Sequence, residues 1–133
     1  MNIIGLVAGI TAFLAIWFGH VMVRETERKV RSIIPPILIC TAIALACLVA
    51  SLQTDSLTLS SFWGILAVTF LWDALEFYRQ EHRIKQGHAP ANPDNPRHAE
   101  ILRQYPSATV KDLLKREPQA HPEISTSAET ETA

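Results

Sequence analysis

Residues 57–93 read LTLSSFWGILAVTFLWDALEFYRQEHRIKQGHAPANP, and the fold turns on how this stretch changes character at its middle. From residue 56 to residue 72 there is no Asp, Glu, Lys or Arg, which is near the length of helix that crosses about 30 Å of hydrocarbon at about 1.5 Å per residue. Past Trp72 the helical period continues, but its repeating face now carries Asp73, Glu76, Gln80 and Arg83. A membrane helix that runs on into water has this pattern.

Two earlier uncharged runs, residues 3–23 and 33–52, are a little longer and similar in composition. In a chain of 133 residues the apolar side chains are thus concentrated before residue 79 rather than spread at the spacing of a soluble core. A secretory signal peptide is a poor description of the first run, because no basic start precedes it and it has full spanning length. The expected fold is all-α: a three-helix transmembrane bundle over residues 1–87, its third helix prolonged into a polar segment. A tail, residues 88–133, follows.

Basic residues set the expected orientation. The first gap holds Arg24, Arg28, Lys29 and Arg31, the region past the third span opens with Arg79, Arg83 and Lys85, and the short second gap has none. Because cytoplasmic flanks collect Lys and Arg, the N-terminus is expected outside and the C-terminus in the cytoplasm. Trp63 at the outer side, and Trp17, Trp72 and Tyr78 toward the inner one, suit the aromatic belts of the two interfaces.

Within the spans, Gly5 and Gly9 form a GxxxG pair, and Ala8, Ala12, Ala15 and Gly19 continue a ridge of small residues that admits another helix closely. That helix belongs either to a second copy or to the same chain. Pro35 and Pro36 stand at the start of the second span, where first-turn N–H groups have no intrahelical acceptor. Cys40 and Cys47 are seven residues apart, hence about 10 Å along one helix, too far for a mutual disulfide. They are expected to pack as small apolar residues.

After Gln86, Gly87, Pro90, Pro93 and Pro96 interrupt the helical pattern. Two short helices are expected in the tail, one over 96–105 capped by Asn95 and one over 108–117 behind Ser107. Each has a narrow apolar stripe and would be marginal alone. Beyond Arg116 only acidic charges remain, among Ser, Thr and Ala, a composition that suits disorder. With so little core in view, removal of everything after Asn95 is expected to leave the fold intact.

No phosphate-binding loop, dinucleotide fingerprint, nucleophile elbow, zinc-protease helix or CxxC pair occurs. Accordingly no enzyme activity, catalytic residue, cofactor or metal site is expected. A formal net charge of −1, with the basic residues where topology demands them, argues against nucleic acid as a partner. The partner is the lipid bilayer, with a homo-oligomer or a larger membrane complex as the setting.

Four ionisable residues near the inner leaflet stand out: His20, Glu27, Asp73 and Glu76. If the first and third spans run in the same direction, His20 and Asp73 reach similar depth. Charges inside a span are costly, so they turn toward protein or water. One reading is a proton- or cation-binding cluster. The plainer one, a polar clamp that fixes helix register or side chains that snorkel to the headgroups, carries more weight, because the cost of a charge is small near the interface. The clamp would pair Glu76 with His20 or Arg24 on the first helix.

At these residues a resemblance enters. Residues 2–9, the Gly19-His20 step followed by Glu27, the Pro35-Pro36 pair, and above all the segment with Leu71-Trp72, Glu76, Gln80-Glu81, Arg83, Gly87, Pro90 and Asn92-Pro93 resemble an uncharacterised bacterial family of small three-span membrane proteins known as a domain of unknown function. The resemblance covers about residues 2–96. It departs at Asp73, where a small hydroxyl residue is expected, and at His88-Ala89, where an aromatic pair is expected. What it implies is the multi-pass architecture in the bacterial inner membrane, and it leaves the function open. The expected function is that of an accessory, assembly or regulatory component acting through protein association. The alternative is an oligomeric proton- or cation-linked transport element.

Overall fold

A computed structural model of the protein describes residues 3–112. Four helices occur there, α1 (Ile4–Lys29), α2 (Ile34–Gln53), α3 (Leu57–Lys85) and α4 (Pro96–Gln104), with no strand among the described residues. The first three are long and apolar enough to cross a membrane. The soluble alternative fails on burial. Only 17%, 22% and 17% of their apolar windows is buried within the chain, while Leu6, Phe13, Trp17, Leu38, Leu52 and Val68 face outward. Large apolar side chains outside and Glu27, Asp73, Glu76 and Gln80 inside is the distribution of a helix bundle solvated by lipid rather than by water.

The helices form a row with α3 in the middle. It packs along both α1 and α2, which have no comparable interface with each other. Small residues permit these approaches: Ala67 and Ala74 on α3, Ala44 between Cys40 and Cys47 on α2, and Gly19 on α1 are all buried. Around Phe77, which has no exposed surface, Val23 of α1, Cys40 of α2 and Ala74 gather into one cluster with Phe70 and Ile37 at its edge. Both cysteines are free and buried, as their composition-based reading requires.

Ser51 and Ser60 lock the α2–α3 hairpin at its turn. Each hydroxyl donates to the other's carbonyl, at 2.9 and 3.0 Å. The ridge of small residues on α1 divides between two sides of the helix. Gly19 is buried, whereas Gly5 and Gly9 are exposed, and a Cβ at either would meet nothing within 4 Å. Packing of that pair inside the chain, one of the two options the sequence leaves, does not occur among the described residues.

With 29 residues α3 is roughly 44 Å long, and α1 with 26 residues roughly 39 Å, so both overshoot the hydrocarbon while the 20-residue α2 matches it. Their overshoots lie at the same end and form a two-helix stem. The chain then turns back on that stem. Gln86 caps α3 and Gly87 takes φ +76°, with the Gly87 N–H donating to the Ile84 carbonyl and the His88 N–H to the Arg83 carbonyl, the Schellman arrangement. The backbone of Ser107 lies where a Cβ on Gly87 would stand, so both space and conformation require glycine.

Residues 88–112 pack onto the stem. Ile84, Ala89, Ala91 and Ile101 form a second small core, with Leu102 and Ala108 against it. The first expected tail helix appears as α4, with Asn95 as its cap and Pro96 in its first turn. The second does not form over residues 108–112, and residues 113–117 lie outside the described residues, as does the acidic end. The start of this segment is committed elsewhere: the Thr109 carbonyl accepts from the Ala91 N–H at 2.8 Å, and just before it the Ser107 side chain donates through Oγ to the Lys85 carbonyl at 2.6 Å. These bonds splice the segment to the turn at Gly87, and a helix would have to give up the first of them.

Candidate functional site at the end of the helical stem

The four ionisable residues singled out in the sequence occupy three separate environments. Asp73 is 5% exposed and lies against Gly19, where a Cβ would come within 2.5 Å of its Oδ1. His20, exposed on the next position of α1, makes no hydrogen bond with it. Glu76 is not clamped to α1. It pairs within its own helix, with Arg83 at 2.5 Å and Arg79 at 3.6 Å, and Arg83 also donates to Gln80 Oε1 at 3.1 Å. Separations of seven and three residues put these groups on one face of α3, so the expected partners, His20 and Arg24, are not needed.

Glu27 is 1% exposed and meets the segment that folds back. Arg97 donates to Glu27 Oε1 at 2.6 Å and to the Glu27 carbonyl at 2.8 Å, and its other terminal nitrogen reaches Glu81 Oε2 of α3 at 2.6 Å. One guanidinium thus ties α1 to α3 from the start of α4. Beside it His98 has no exposed surface. Its Nδ1 sits 2.9 Å from the Asn92 N–H, which can only donate, so the ring proton lies on Nε2 and is given to Glu27 Oε1 at 3.1 Å. The 2.9 Å approach of Arg97 to that same Nε2 is then between two donors converging on one carboxylate.

The same segment caps α1. A helix leaves its last carbonyls without intrahelical partners. Asn95 Nδ2 donates to the Arg28 and Val30 carbonyls at 3.1 and 2.9 Å, Asn92 Nδ2 to the Arg28 carbonyl at 3.2 Å, and Arg97 takes the Glu27 carbonyl. Through its Oδ1, Asn95 also accepts from the Arg97 N–H, so one side chain closes the C-terminus of α1 and opens α4. A cation at the negative end of the α1 dipole adds to this.

Beyond the membrane, burial pushes the Glu81 carboxyl up, but hydrogen bonds and charge from Lys85 and Arg97 outweigh it, leaving Glu81 below the usual carboxylate range. Lys85, bonded to Glu81 at 2.6 Å, is correspondingly raised. Among the described residues Arg97 Nε is the buried side-chain polar atom without a hydrogen-bond partner.

A cleft of about 820 Å³ opens between the ends of α1 and α3 and the 88–93 turn. Of the residues carrying the sequence motif, Gln80, Arg83, Pro90, Asn92 and Pro93 line it, together with Glu27. Trp72 and Gly87 do not: Trp72 holds the Arg79 guanidinium 5.3 Å over its ring, and Gly87 makes the reversal. No group of three metal-binding side chains comes together among the described residues.

Sequence reasoning finds Glu27 but misses its partners Arg97 and His98, and with them Glu81, which shares the Arg97 guanidinium. The one local signal was the Asn95-Pro96 cap. Nothing in a helical period points from it to a carboxylate almost seventy residues earlier.

Residues 2–95 match the family model described as "Domain of unknown function (DUF4491)". No curated protein and no solved structure matches the chain. The match ends at the cap of α4. Glu27, Asp73, Glu76 and the motif side chains fall inside it, and Arg97 and His98 fall just beyond.

Proposed function

The chain belongs to this family of unknown function, and on that premise we propose that it is a small bacterial inner-membrane protein acting as an accessory, assembly or regulatory component through association with other membrane proteins. One observation carries this reading: the row order α1, α3, α2. A row of three helices encloses no path through a bilayer, and it leaves the outer faces of α1 and α2, Gly5 and Gly9 included, open to other helices. Two of the four ionisable groups support it as well, since Glu27 and Glu76 are spent on internal pairs.

Orientation is part of the proposal, with the stem in the cytoplasm, because Arg24, Arg28, Lys29 and Arg31 lie at the same end as Arg79, Arg83 and Lys85. Reporter fusions near Asp55 and at Ser127 should read outside and inside respectively. Affinity purification from native membranes, followed by mass spectrometry, is expected to return a stoichiometric membrane partner or a second copy. Recovery of a lone monomer under mild detergent would count against association.

Asp73 favours a second reading. It is buried, with no hydrogen bond or ion pair among the described residues, at the edge of the spanning part of α3. Such a group is a candidate for binding a proton or cation, and three spans would need an oligomer to conduct it. Proteoliposomes that collapse a proton gradient, and fail to do so with Asp73→Asn, would select this reading over the first.

A further inference from the structure

We infer that the cleft at the end of the stem is a binding site for a phosphate-bearing anion, supplied either by a lipid headgroup or by a free phosphate compound. Its wall on α1 carries Arg24 and Arg28, four residues apart and so on one face one turn from each other. Neither side chain has an ion pair among the described residues. From α3, Arg83 lines the same cleft with 41% of its side chain exposed.

The acidic groups nearest these arginines are already engaged. Glu27 is held by Arg97 and His98, and Glu25 by Lys29 at 3.3 Å. Asp112, on the wall the returning chain supplies, has an interaction of its own. Positive charge on the α1 wall is therefore not cancelled by its neighbours there.

A second observation is independent of charge. Gln80 is 8% exposed and lines the cleft. Because Arg83 can only donate, the Gln80 atom 3.1 Å from it is the carbonyl oxygen, which leaves the amide N–H groups of a nearly buried side chain without a partner among the described residues. Unlike Arg97 Nε, that amide nitrogen keeps contact with the cleft, so its N–H groups take their acceptor from there. An anion in the cleft supplies that acceptor.

Phosphate is the chemistry that fits. Guanidinium groups present forked donors matched to phosphate oxygens, and two of them one turn apart bracket a single tetrahedral anion. The donors are also held in place, because Asn92, Asn95 and Arg97 fix the end of α1 that carries Arg28. Position suits a headgroup. Arg24 immediately follows the uncharged run, about 7.5 Å along the helix from Gly19, and the headgroup layer on each side of the hydrocarbon is roughly 5–7 Å thick. Basic pockets between spanning helices bind anionic headgroups for these reasons.

The test uses the full chain in nanodiscs of phosphatidylcholine with and without phosphatidylglycerol, read by native mass spectrometry, and in detergent with inorganic phosphate, read by unfolding temperature. Retention of phosphatidylglycerol should fall at least tenfold in an Arg24→Gln/Arg28→Gln variant and rise in Glu25→Gln, whose added positive balance acts in the opposite direction and guards against a variant that simply misfolds. Retention of phosphatidylglycerol without any phosphate effect assigns the site to lipid. A saturable rise in unfolding temperature with phosphate, absent in the arginine variant, assigns it to a free compound. Equal retention by wild type and both variants, with no phosphate effect, overturns the inference.

Discussion

Glu27 and Arg97 are separated by 70 residues of chain and by 2.6 Å in space. The carboxylate ends the first spanning helix and the guanidinium opens the short fourth one. Their side chains are 1% and 14% exposed, which places the pair among buried rather than surface ion pairs.

Arg97→Gln leaves the Glu27 charge buried beside His98 alone, so it should destabilise by about 3–5 kcal/mol, whereas Glu27→Gln, which leaves Arg97 its pair with Glu81, should cost less. The double variant should lose less than the sum of the two, as residues in one network do. Because the same network holds α4, a chain ending after Asn95 should also unfold more easily, with faster hydrogen exchange over the last turn of α1. Denaturation in detergent of the four chains measures this, and additive losses would show that the two groups do not depend on each other.

Glu76 should be energetically tied to Arg83 and not to His20. In a double-mutant cycle, Glu76→Gln with Arg83→Gln should show coupling of about 0.6 kcal/mol, the usual size between membrane side chains. Glu76→Gln with His20→Ala should be additive within about 0.5 kcal/mol. Coupling to His20 instead would mean that the helices are clamped at that depth.

Gly19 leaves no room for a side chain. With Asp73 Oδ1 and Oδ2 at 2.5 and 2.7 Å from the site of a Cβ, Gly19→Ala should cost about 1–3 kcal/mol through overpacking. Asp73→Ala in the same chain should recover most of that loss. Gly5→Ala and Gly9→Ala, with nothing within 4 Å, should be silent for the isolated chain. Thermal unfolding in detergent compares all four.

The low Glu81 carboxyl gives a pH dependence with a definite sign. A group whose value is depressed by folding adds stability that is present above its unfolded value and is lost as pH falls through the folded one. Stability of the stem should therefore decline below the ordinary carboxylate range, and Glu81→Gln should flatten that part of the curve. Unchanged acid sensitivity in the variant would remove Glu81 from the account.

The spans and their order of use were readable because lipid imposes a long-range rule on composition: residues 3–23, 33–52 and 56–72 lack charge, and α1, α2 and α3 follow. Local chemistry was readable too, as Gly87 and Asn95 do what a turn glycine and a capping asparagine do. What escaped was the contact between Glu27 and residues 92–98, because no periodicity relates groups on elements so far apart in the chain. The pairing of Glu76 with Arg83 escaped for a different reason. Its spacing of seven was visible, but a partner on another helix competed for the same carboxylate, and only the packing of α1 through Gly19 against Asp73 decides between them.

The capping of α1 by Asn92, Asn95 and Arg97 also sets a schedule. During synthesis the first span enters the bilayer long before its last carbonyls can find those donors, since some seventy further residues must be translated, roughly 3 to 14 s at about 5–20 residues per second. For that interval the end of α1 lacks the three side chains that cap it. The hairpin of α2 and α3 is threaded in the meantime, and the chain seals its first helix only once the third is in place.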